Sequence, residues 1–150
     1  MLIETLRSIF NRDLLRLKTE IDSYNEESKI WIIENNIANS AGNLSLHLIG
    51  NLNTYIGAGF GKTNYVRNRE LEFSLKNISK KELIDKIEST ILVVDLSLQN
   101  ITEEELKNEH PILVFDKKNV KINLFDQGKS AACFFFFTNT KMPPFTGYWI

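Results

Sequence analysis

Chemistry in this chain centres on one imidazole, in the run Asn39-Ser40-Ala41-Gly42-Asn43-Leu44-Ser45-Leu46-His47-Leu48-Ile49-Gly50-Asn51-Leu52-Asn53. Leu44, Leu48, Asn51 and Tyr55 recur at three- and four-residue steps, so they share a helix face. Asn43, His47 and Asn51 fall at i, i+4 and i+8, and a polar stripe therefore runs beside the apolar one. Such a stripe is costly to bury unless each member finds a partner or a ligand. Imidazole is a common metal ligand and an equally familiar hydrogen-bonded core group; the spacing leaves both readings open. Further on, Arg67 and Arg69 offer guanidinium forks that match a carboxylate or the anion of a thiol cofactor. With Glu70 and Glu72 interleaved, the same stretch also reads as an ion-paired loop packed over the helices.

Other chemical candidates are weaker. Gly57-Ala58-Gly59-Phe60-Gly61-Lys62-Thr63 has the flavour of a phosphate loop, but Ile56 stands where that motif needs its first glycine, and the run follows a helix instead of a strand. Glu103, Glu104 and Glu105 suit a helix N-terminus and need no catalytic role. His110 precedes Pro111, which biases it to an extended conformation. Cys133 lies in an apolar run, where a thiol stays protonated and unreactive. No Ser/His/Asp or Cys/His arrangement and no pair of carboxylates for acid–base work can be identified.

The blocks NSAGNLSLHLIGNLNTYIGAGFG and TNYVRNRELEFS resemble the DinB-like (YfiT-like) superfamily of metal-dependent proteins, most closely an uncharacterised bacterial branch of it. The likeness runs from about Leu2 to Phe115. It implies a four-helix up-down bundle, often dimeric, whose second helix gives one histidine to a zinc or nickel ion; His47 falls on that position. It also implies thiol transfer, isomerisation or hydrolysis at the ion's open coordination position. Two further histidines, spaced H-x3-H, come from the family's last helix, and this sequence has no histidine after Asn123. The implied metal site is thus incomplete, with His47 as its one matched ligand. Asn43, Asn51, Arg67 and Arg69 remain as candidate ligand-binding residues. The expected activity is an impaired or absent version of the family chemistry. The alternative is a non-catalytic helical domain that dimerises or binds a small molecule or thiol.

Size and charge agree with a single globular domain. A chain of 150 residues, 43% hydrophobic and 25% charged, can bury a core without covalent staples. A net charge of −1 gives no electrostatic footprint for nucleic acid. One cysteine excludes an intramolecular disulfide and is compatible with a reducing compartment. The opening residues carry Glu4, Arg7, Arg12 and Asp13 without an apolar signal core, and the longest apolar run is far below the roughly 18 residues of a membrane span. The expectation is a cytoplasmic, soluble protein.

The positioning elements follow from periodicity. Leu2, Leu6, Ile9, Phe10, Leu14, Leu17 and Ile21 make one face of a long first helix, with Asp13 a solvated charge at its boundary. Trp31, in the packed connector that follows, reads as core packing or as the wall of a ligand pocket, and the resemblance implies an aromatic here that plugs the end of the bundle. Ser40 is the N-cap of the His47 helix, which ends near the glycines at 57, 59 and 61. Ser79-Lys80-Lys81-Glu82 opens a third long helix with Leu83, Ile84, Ile87, Ile91, Val94 and Leu98 on its apolar face. Thr102 to Glu105 repeats the capping signature at a short turn of helix. Ile112 to Phe115 and Val120 to Phe125 read as two extended segments around Asp116 to Asn119. The chain therefore divides into a helical bundle over 1–125, three long helices plus connectors, and an atypical apolar tail over 126–150. In that tail Phe134 to Phe137 and the Pro143-Pro144 pair replace the expected fourth helix. A shifted reading frame and genuine divergence both account for the replacement.

Overall fold

The computed structural model describes residues 2–33, 38–107, 110–114 and 117–122. Among the described residues are four α-helices: α1 (Leu2–Asp22), α2 (Ala41–Leu52), α3 (Arg69–Ser74) and α4 (Lys80–Gln99). A hairpin of β1 (His110–Val114) and β2 (Lys117–Ile122) follows them. The expected all-α class holds for the body of the protein. The hairpin strands lie earlier than the sequence placed them, since β2 takes up Lys117, Lys118 and Asn119. The expected tail over 126–150 lies outside the described residues.

The long helices form where the apolar periodicity demands. Phe10, Leu14, Leu17 and Ile21 of α1 are buried against the face of α4 that carries Leu83, Ile87, Val94 and Leu98. Arg7 bonds Asp95 and Lys18 bonds Glu88, so the two helices run antiparallel. Ser79 caps α4 by accepting the backbone N–H of Glu82 at 3.1 Å. Lys80, in the first turn of α4, donates to the carbonyls of Asp22 and Tyr24 and so satisfies acceptors exposed at the end of α1. Asp13 pairs with its neighbour Arg12 on the surface. Thr102 and Glu105 bond each other reciprocally, side chain to backbone, as a capping box requires.

Helix α2 differs from the amphipathic helix that the sequence suggests. Every residue from Ala41 to Gly50 is buried except His47, which is partly so. The reason is its surroundings: α3, α4 and the turn holding Trp31 all pack on it. Trp31 lies flat against Gly42, where a Cβ would come within 2.6 Å of the indole, so only glycine admits that ring. Beyond Leu52 the chain continues as a π-helical turn, Asn53–Ala58. This turn packs on α4, where Asn53 donates to Thr90 at 2.9 Å.

Candidate functional site

Ser40, the N-cap of α2, starts the site. Its Oγ accepts the backbone N–H of Asn43 at 3.2 Å and donates to Asn43 Oδ1 at 2.7 Å. That leaves the Asn43 amide nitrogen aimed outward, and it donates to the carbonyls of Glu72 and Leu75 at 3.0 and 2.8 Å. Asn43 is thus fully engaged as a clamp on the C-terminal end of α3. A six-residue helix is too short to hold itself together in water. Asn68 caps its start by accepting from the N–H of Leu71, and Asn43 holds its end. The consequence is that the segment from Tyr65 to Leu75 is strapped across α2.

One turn along α2, an ion pair within the strap meets the imidazole of the helix. Glu72 is 6% exposed, and Arg67 grips it with both arms of one fork: Nε to Oε1 at 2.6 Å and Nη2 to Oε2 at 2.8 Å. His47, 13% exposed, brings Nδ1 to 2.8 Å from the same Oε2. Asn51 Nδ2 lies 3.2 Å from His47 Nε2. In the neutral ring these contacts select one tautomer. A bare Nδ1 would point its lone pair at a carboxylate oxygen, whereas Nδ1–H donates to Glu72 and leaves Nε2 to accept from Asn51. Phe73 covers the ring, with centroids 4.9 Å apart and planes at 39°. Burial pushes the Glu72 carboxyl upward, but hydrogen bonds and charge from Arg67 and His47 outweigh it, and the group stays below the ordinary glutamate range. Burial likewise works against the Arg67 cation, and its bonds to Glu72 raise it above the ordinary value.

Gly50 makes this geometry possible. A Cβ at position 50 would overlap Glu72 Oε1 and come within 3.4 Å of Arg67 Nε. The missing side chain is the space in which the carboxylate and guanidinium meet.

The five residues singled out by sequence separate into two groups. His47 and Arg67 converge on Glu72, Asn51 meets the far ring nitrogen of His47, and Asn43 reaches the backbone of Glu72. Arg69 is exposed at the start of α3. Glu72 itself was named only as one of several loop charges. Its spacing of five from Arg67 fits no helix pairing, so the sequence offered no signal to prefer it over Glu70.

The implied divalent ion can be tested against this donor set. One ingredient is present: a metal-ligating histidine commonly donates its second ring N–H to a carboxylate, as His47 does to Glu72. The ligands are not. A resident zinc site needs three or four protein donors, and among the described residues no three His, Cys, Asp or Glu side chains converge. Both Glu72 oxygens are taken by Arg67, whose Nη2 also lies 3.2 Å from His47 Nδ1. Nε2 faces an amide. The described residues do not fit a divalent metal.

Beside the cluster lies a cleft of about 290 Å³ between α2, the strap and α4. Leu46, Ile49, Leu71 and Leu75 give it apolar walls, with Tyr65 and Lys86 among its polar lining. The Asn53 amide and the Thr90 hydroxyl, also in its lining, already donate to Ile49 O and Lys86 O respectively. Among the described residues no helix is long and apolar enough to cross a membrane.

Comparison with models of protein families, with curated proteins and with solved structures gives no match to this chain.

Proposed function

We propose that this chain is a cytoplasmic DinB-like helical domain that binds a small ligand and has no working metal centre. The observation that carries the reading is the saturation of His47: Glu72 holds one ring nitrogen and Asn51 the other. An imidazole so engaged holds the strap in place and has no lone pair to offer without breaking a bond. The cleft beside it supports binding as the remaining role, since Leu46, Ile49, Leu71 and Leu75 line it together with polar groups of Asn53, Lys86, Ser89 and Thr90, a mixed lining that can hold a small molecule.

Metal analysis tests the reading directly. The full chain is dialysed against zinc and against nickel, then against buffer, and bound metal is quantified. The expected result is far below one ion per chain and is the same for His47→Ala. Stoichiometric retention that disappears in His47→Ala would sink the proposal and restore a metal enzyme. Thermal melts in the presence of a chelator address the ligand. Stabilisation by a small carboxylate or thiol without metal is expected, because a ligand that binds the folded state alone raises its melting temperature.

A further inference from the structure

We infer that the cleft takes a monocarboxylic acid with a short hydrocarbon body, the carboxylate against Lys86 and Ser89 and the body on Leu46, Ile49, Leu71 and Leu75. The inference rests on the ligand-binding reading above and gives the ligand a chemistry. Charge is the first ground for it. Glu72 and Lys86 are the charged residues in the lining. Arg67 takes both oxygens of Glu72, so that carboxylate is already balanced inside the strap. Tyr65 keeps its proton, because burial, and then the charge of Glu72, hold the phenol above its ordinary value. Lys86 is balanced only loosely. Glu82 stands 3.4 Å from its Nζ, and the two side chains are 41% and 52% exposed. An exposed pair of this kind holds weakly, and an ammonium has three protons to donate. The lining as a whole therefore favours an anion.

Hydrogen bonding fixes where that anion goes. Both protons of the Asn53 amide are committed, to Ile49 O and to Thr90 Oγ1, and the Thr90 hydroxyl donates to Lys86 O. That side of the cleft has no side-chain donor left for a carboxylate. Ser89 lies three residues beyond Lys86 on the same face of α4, so an exposed hydroxyl stands beside the ammonium. Leu46, Ile49, Leu71 and Leu75 offer no polar partner and suit hydrocarbon. The volume of about 290 Å³ lies at the small end of the roughly 300–1,000 Å³ usual for ligand pockets, which keeps the body short. A second charge at the far end of the ligand would land among aliphatic side chains and committed amide protons, where burial without a partner is costly.

Calorimetric titration of the full chain with octanoate, octanedioate and octylamine, with chelator present and below micelle-forming concentrations, tests the assignment. Octanoate is expected to bind at one per chain, at least about tenfold more tightly than either of the others. Lys86→Met should weaken octanoate about tenfold and leave the melting temperature of the unliganded protein unchanged, since the pair it breaks is exposed. Lys86→Glu should reverse the preference, so that octylamine binds more tightly than octanoate. Leu71→Ser, at a half-exposed position, should weaken both ligands alike. Octanoate binding untouched by Lys86→Met would overturn the inference while leaving a ligand site in place. Octylamine or octanedioate bound by the wild type as tightly as octanoate would do the same. No binding of any of the three, with no stabilisation by a small thiol either, would sink the ligand-binding reading itself.

Discussion

Two regions of this protein hold the same pair of groups, one across a helix–helix seam and one inside the strap, and burial makes them behave differently. Along the α1–α4 seam, Arg7 binds Asp95 through two parallel bonds of 2.7 and 2.9 Å. Within the strap, where it lies on α2, Arg67 binds Glu72 through two bonds of 2.6 and 2.8 Å. The geometry is nearly identical. The Asp95 side chain, however, is 40% exposed, whereas that of Glu72 is 6% exposed. The first seam has a continuous apolar stripe behind its ion pair, from Phe10 to Ile21 on one helix and Leu83 to Leu98 on the other. The strap has little of this kind, and Leu71 is half exposed. Its polar attachment to α2 runs from Asn43 to its backbone and from His47 to Glu72, with Arg67 holding that carboxylate in place. An ion pair on the rim of a hydrophobic interface is an accessory, while the same pair buried within the strap neutralises and orients the carboxylate that His47 binds.

The largest expected effect tests that contrast. Glu72→Ala removes the acceptor for both Arg67 and His47 and leaves a half-buried guanidinium without its partner, at a cost of about 3 kcal/mol. Urea unfolding measures it, and adding Arg67→Ala should cost less than the sum of the two single losses, because the residues share one network. Gly50→Ala comes next, at about 1–3 kcal/mol, since the new methyl group displaces a carboxylate held by two partners. In a Glu72→Ala background that penalty should largely disappear, which makes the pair of variants a check on the contact itself. The smallest effect belongs to Asp95→Asn, whose melting curve should overlay that of the wild type. A loss at Asp95 comparable to that at Glu72 would break the comparison, because burial would then have no bearing on what the pair contributes.

Much of the scaffold was legible before any coordinates. The stripe of Phe10, Leu14, Leu17 and Ile21 and that of Leu83, Ile87, Val94 and Leu98 are the buried faces of α1 and α4, because apolar spacing and burial are two expressions of one helix geometry. Caps at Ser40 and Ser79 were readable for a similar reason: a hydroxyl ahead of a helical pattern has an orphan N–H within reach. Helix α2 was harder to read. Its spacing showed a polar row beside an apolar one without saying which way the row faced, and Asn43 and Ser45 are buried because each finds a carbonyl to bond. Helix α3 was not visible at all. Six residues carry too little periodicity to announce a helix, and this one exists because Asn43 and Asn68 close its two ends.

Sequence alone determined which segments are helices with a face to bury, where those helices begin, and that His47 belongs to a polar row with Asn43 and Asn51. These are properties of local spacing, and a chain carries them wherever it folds. Only the tertiary structure decided what that row touches. The approach of Glu72 to His47 bridges 25 residues, needs the space left at Gly50, and is fixed by an arginine five positions away in a strap with no regular repeat. Whether an imidazole faces a metal or an ion pair depends on that long-range meeting, and no local pattern encodes it.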